Sequence, residues 1–112
     1  MRPEAKKYLW DARMAATRVA AFVAGKDLQD YLRDDLLRSA VERQLEIVGE
    51  ACNQVSRVDP GTGARIPELA RLVAFRNVLV HGYADVDHRL VWDLVQTKLP
   101  QLASVLDRLL DE

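Results

Sequence analysis

Between Pro3 and Ala24 the apolar residues fall at Tyr8, Leu9, Ala12, Ala15, Ala16, Val19, Phe22 and Val23. That three-and-four spacing lays one stripe along a helix, and Gly25 supplies a C-terminal stop. Asp27 is placed to cap a short helix carrying Leu28, Tyr31 and Leu32. Asp34 or Asp35 is placed to cap the next helix, with a bend near Asp34. The longest periodic run spans about Asp35 to Arg57. Leu37, Val41, Leu45, Val48, Cys52 and Val55 share one face, and Ala40, Ile47 and Ala51 widen it. Gly49 sits in the middle of this helix at a cost of about 1 kcal/mol relative to Ala, which points to another backbone packing closely against it.

Pro60, Gly61, Gly63 and Pro67 in "VDPGTGARIP" predict a loop that reverses the chain. Pro67 suits the first turn of the next helix, which runs through Leu69, Leu72, Val73, Phe75, Leu79 and Val80 to about His81. Gly82 ends it, and Val78, Leu79 and Val80 are expected to anchor it on the core. Asp85 or Asp87 caps a further helix with Leu90, Val91, Leu94 and Val95. Pro100 is expected to break or kink this region before "QLASVLDRLL" continues helically. No strand alternation or internal repeat stands out. The pattern predicts an all-α, antiparallel bundle of about four to five helices, forming one domain over residues 1–112.

Composition narrows the function classes. A chain of 112 residues supports one core, so a ligand site built from two subunits is a natural expectation. The net charge of −1 gives no overall attraction to nucleic acid, so any RNA binding must be local. Cations do outnumber anions before residue 27: Arg2, Lys6, Lys7, Arg13, Arg18 and Lys26 against Glu4 and Asp11. Cys52 is the single cysteine, which excludes an intrachain disulfide and fits a reducing cytoplasm. Its place on the apolar stripe reads as a small buried hydrophobe. No apolar signal core and no membrane-length apolar run occur, so the expected location is cytoplasmic, away from membranes.

His81 and His88 lie seven apart across a helix break, and neither HExxH nor CxxC spacing occurs; a metal site has no motif behind it. Phosphate-loop and dinucleotide fingerprints are also missing, and no cofactor is implied. The exception is "RNVLVHGY", Arg76 to Tyr83. At 100° per residue Arg76 and Tyr83 share a helical face, with Asn77 and His81 on an adjacent one. An imidazole at a helix C-terminus can change protonation near neutral pH. A guanidinium offers paired donors matched to phosphate. With Asn77 in support, Arg76 and His81 could cleave RNA without a metal: the imidazole moves the 2′-hydroxyl proton and the guanidinium stabilises the pentacoordinate phosphate. The plainer reading makes both ordinary helix-end residues. Glu46 and Glu50, one turn apart, could orient Arg76 or a partner's arginine, or belong to a solvated face.

The segments "YLWDAR", "AVERQLEIVGEA", "RNVLVHGY" and "VWDLVQTKLPQL", in this order and spacing, resemble the HepT family of HEPN-domain proteins nearly end to end. The family's Arg, polar residue and His match Arg76, Asn77 and His81, and its following Tyr matches Tyr83. The chain departs from many relatives at Glu68, Ala74 and Phe75. The resemblance implies a metal-independent endoribonuclease, the toxin of a type VII toxin–antitoxin pair acting on transfer RNA or messenger RNA. It implies a homodimer in which two such motifs face one cleft. It also implies an antitoxin partner, an MntA-like minimal nucleotidyltransferase that AMPylates Tyr83. The alternative expectation is a non-catalytic helical binding subunit of a nucleotidyltransferase complex, and a third is a plain dimerisation module.

Overall fold

The computed structural model describes residues 1–112 and is helical throughout its regular structure. The elements are α1 (Pro3–Val23), α2 (Leu28–Arg33), α3 (Asp35–Val58), α4 (Pro60–Gly63), α5 (Leu69–His81), α6 (His88–Gln96) and α7 (Lys98–Leu110), with a 3-10 turn at Tyr83–Asp85 between α5 and α6. Beyond the four to five expected helices stand the one-turn α4 and the division of the C-terminal region into α6 and α7.

Local chemistry sets most of the boundaries. Gly25 takes φ +74°, the left-handed conformation that stops α1. Asp27 and Asp30 form a reciprocal capping box on α2. The Asp34 carboxylate accepts from the Leu37 amide at 3.0 Å to start α3, and Asp87 accepts from the Arg89 and Leu90 amides to start α6.

Three boundaries depart from the sequence pattern. Within the expected loop, Asp59 accepts from the Thr62 amide and caps a helical turn. A β-carbon on Gly63 would lie 2.6 Å from Ser56 Cα, so this turn is pressed onto α3. Helix α5 begins at Leu69 rather than Pro67, because Glu68 adopts φ 55° and cannot propagate a helix. That conformation costs of order 1–3 kcal/mol; it lets Ile66 enter the core, where it is 3% exposed, while Glu68 pairs with Arg71 and Lys98. The C-terminal break falls at Thr97, ahead of Pro100. Pro100 is the third residue of α7, where its missing N–H leaves no helical bond unmade.

Helix α3 packs against both α1 and α5, and α7 covers α1 and α6. Leu9, Val19, Val41, Val48, Val55, Val91 and Leu106 are sealed in the core between them, each contributing about 1.5–3 kcal/mol of burial. Cys52 is among these buried groups, and desolvation pushes its thiol up to about 12, as a packing residue requires. The expected three-residue anchor of α5 is corrected by the structure. Only Leu79 is buried; Val78 and Val80 are 42% and 37% exposed. Three consecutive residues sweep about 200° of a helix, and α5 has its main packing neighbour, α3, on one side. No helix is long and apolar enough to cross a membrane.

Where α2, α3 and α6 meet, the Glu42 carboxylate lies 3.9 Å from His88 Nδ1. Burial holds its affinity for a proton above the ordinary glutamate range, against the pull of His88 and Arg38. Across the raised titration the folded chain therefore holds a proton that the unfolded chain has released, so this group's contribution to stability falls as pH rises. Urea unfolding of Glu42→Gln and the parent between about pH 4 and pH 7 is expected to show the variant gaining stability relative to the parent as pH increases. A constant difference would contradict the assignment.

Candidate functional site

The contact of α3 with α5 explains Gly49. A β-carbon there would sit 2.6 Å from Arg76 Cβ and 3.4 Å from the Leu72 carbonyl oxygen. The glycine thus lets α5 of the same chain come close and fixes where the Arg76 side chain emerges.

From that point the guanidinium is held on two sides. Nη2 lies 3.1 Å from Glu50 Oε2, and Nη1 donates to Asn77 Oδ1 at 2.9 Å. Glu50 is steadied in turn by Gln54, whose Nε2 donates to Oε1 at 3.0 Å. Arg76 Nε is buried and has no hydrogen-bond partner. One turn earlier on α3, Glu46 pairs with Arg43 at 3.2 Å. Of the two roles open to these glutamates, Glu50 orients Arg76 of its own chain; both remain partly solvated, at 42% side-chain exposure for Glu50 and 22% for Glu46.

Arg76 faces a cleft of about 500 Å³ bounded by α1, α3 and α5. Its lining includes Trp10, Met14 and Arg18 from α1, Glu46 and Glu50 from α3, and Val80 one turn beyond Arg76 on α5. His81 is exposed on the last turn of α5, and Tyr83 is 80% exposed in the 3-10 turn. Neither they nor Asn77 line the cleft in the single chain. The expectation that Tyr83 shares a helical face with Arg76 is therefore corrected. Gly82 ends α5 at φ −109°, so Tyr83 leaves the helical screw that would have returned it to the Arg76 face. The sequence signal for His81 and Tyr83 as accessible groups holds, while neither lines the Arg76 cleft in one chain.

The description "Ribonuclease HepT-like" belongs to the family whose sequence model matches residues 13–109, from within α1 almost to the end of α7. The chain belongs to the HepT-like ribonuclease family. A protein of Thermococcus cleftensis named "Probable ribonuclease HepT" is 32% identical over 97% of this chain and 98% of its own length. MJ1380 of Methanocaldococcus jannaschii, also provisionally named an RNase, is 29% identical over 88% of this chain and 90% of its own. No solved structure matches the chain significantly.

Sequence reasoning about this HepT-like chain missed the α1 wall of the cleft and the supporting Arg43 and Gln54. A signal was present for the latter two. Arg43 lies three residues before Glu46 and Gln54 four after Glu50, spacings at which helical side chains meet. Chemically, the site offers a fixed cation at a cleft and a solvent-accessible imidazole at the end of the same helix. The cleft can hold an anionic group at Arg76, while His81 stands apart from it in the single chain.

Proposed function

We propose that this HepT-like chain is a metal-independent endoribonuclease, with Arg76 and His81 as catalytic residues and Asn77 in support. The carrying observation is the Arg76 guanidinium held at the cleft by Glu50, in a chain of ribonuclease family. His81 takes the proton of an RNA 2′-hydroxyl, and the 2′-oxygen attacks the adjacent phosphorus. The bond to the 5′-oxygen breaks, that oxygen takes a proton from water, the His81 imidazolium later returns its proton to solvent, and a 2′,3′-cyclic phosphate remains. Arg76 stabilises the charge gathered on the pentacoordinate phosphorus.

Arg76 and His81 are five positions apart, which sets them about 140° apart on a helix. A homodimer with two such helices facing one cleft would bring the arginine and imidazole of opposing motifs together, and this geometry supports the two-chain site. Tyr83, 80% exposed, is the modification residue. An MntA-like minimal nucleotidyltransferase transfers AMP from ATP to its hydroxyl, releasing pyrophosphate, and the added phosphate and adenosine exclude RNA. The chain is then the toxin of a type VII pair in the cytoplasm, with transfer or messenger RNA as substrate.

Purified unmodified protein is expected to cut RNA in EDTA and leave cyclic phosphate ends. Protein made together with the nucleotidyltransferase should gain AMP on the Tyr83 peptide by mass and lose the activity. RNA left intact by the unmodified protein, with or without EDTA, would sink the proposal. The separation of His81 from the cleft in one chain favours a second reading, a passive binding subunit of the nucleotidyltransferase. That reading requires expression of the chain alone to be harmless, and Arg76→Ala to change nothing.

A further inference from the structure

Lys6, Trp10, Met14 and Arg18 are spaced four apart on α1, so their side chains follow one ridge about 18 Å long. Trp10 is 55% exposed, unusual for the largest aromatic side chain. It shares the Arg76 cleft with Met14 and Arg18. The other arginines of the cleft are spoken for: Arg43 pairs with Glu46 and Arg76 with Glu50. Lys6 and Arg18 enter no ion pair. Asp11, also in the cleft, is the acid nearest this ridge on α1. Helix α1 as a whole carries four cations, Lys6, Lys7, Arg13 and Arg18, against Glu4 and Asp11.

A flat exposed aromatic between two uncommitted cations is the arrangement that holds unpaired nucleotides. The base stacks on the ring, and the flanking phosphates meet the charges. A duplex, whose bases are already stacked, has no face to offer the indole. We propose that the α1 ridge is a single-stranded RNA subsite, with Trp10 stacking an unpaired base and Lys6 and Arg18 holding phosphates on either side. This assignment rests on the proposed RNA cleavage and adds the substrate class: unpaired segments such as loops and tails rather than duplex.

The second tryptophan, Trp92, packs against Tyr31 with ring centroids 5.4 Å apart, so Trp92→Phe leaves Trp10 as the sole indole reporter. Titration of full-length Trp92→Phe carrying His81→Ala with an unstructured RNA oligonucleotide is expected to quench its fluorescence. The same strand annealed to its complement should quench weakly. Trp10→Ala should weaken oligonucleotide binding about tenfold, and Trp10→Phe by much less. In the cleaving protein, Trp10→Ala should raise KM with kcat nearly kept.

Equal binding by Trp10→Ala and its parent would overturn the subsite, as would equal quenching by duplex. So would a change in association state caused by Trp10→Ala, because the ridge would then be covered by a second copy. If the parent binds RNA through Trp10 but never cuts it, the catalytic proposal falls and the subsite stands. If it cuts RNA and Trp10→Ala leaves KM unchanged, the subsite alone falls.

Discussion

His81→Ala is expected to lower EDTA-resistant RNA cleavage by about 10²–10⁴-fold while leaving the thermal unfolding midpoint close to that of the parent. The two halves of the expectation have separate origins. His81 is exposed at the C-terminal turn of α5 and belongs to no buried cluster, so its removal opens no cavity. In the proposed mechanism its contribution is the proton taken from the 2′-hydroxyl. A rate-versus-pH profile and an unfolding curve on the same preparation decide the matter. A variant that cuts RNA at the parent rate would remove His81 from the mechanism, and one that loses rate only in step with lost stability would make it structural.

Gly49→Val should damage both stability and activity. A β-carbon at this position already falls 2.6 Å from Arg76 Cβ and 3.0 Å from Arg76 Cγ, and valine adds two methyl groups. Relief requires α5 to move away from α3. Overpacking of this kind costs about 1–3 kcal/mol, and displacing Arg76 by an ångström or so should reduce cleavage by about 10²-fold. Glu50→Gln separates the two effects, because it leaves the close packing untouched and removes the charge that aims the guanidinium. If Gly49→Val retains full rate with lowered stability, the position of Arg76 on α5 is not what the reaction depends on.

Both variants act on α5, where the sequence pattern was only partly informative. The pattern of α1 and α3 was legible because each presents a broad apolar stripe whose centre is buried, with Leu9, Val19, Val41, Val48 and Val55 all in the core, while Tyr8, Phe22, Ala40 and Ile47 at its margins are half-buried. Their ends were legible for a different reason. Asp27, Asp34 and Asp87 satisfy amides through local hydrogen bonds, and Gly25 adopts a conformation other residues avoid. Such signals act over a few residues and need no tertiary partner.

On α5 the hydrophobic pattern misled. Val78 and Val80 are as apolar as Leu79, yet they lie open to solvent or cleft on opposite sides of the helix. Glu68 was equally opaque. Its left-handed backbone stands between the buried Ile66 and the start of α5, and no residue type in that stretch signals a positive φ.

By itself, then, the sequence determined an all-helical chain, the caps that divide it, the burial of Cys52, and the candidate group Arg76, Asn77, His81 and Tyr83, because each depends on periodicity, residue chemistry or spacing along one segment. Only the tertiary structure decided that Gly49 receives α5, that Glu50 and Gln54 hold Arg76, and that Trp10 and Arg18 wall its cleft. Those facts join residues distant in the chain, and local pattern carries no information about which of them meet.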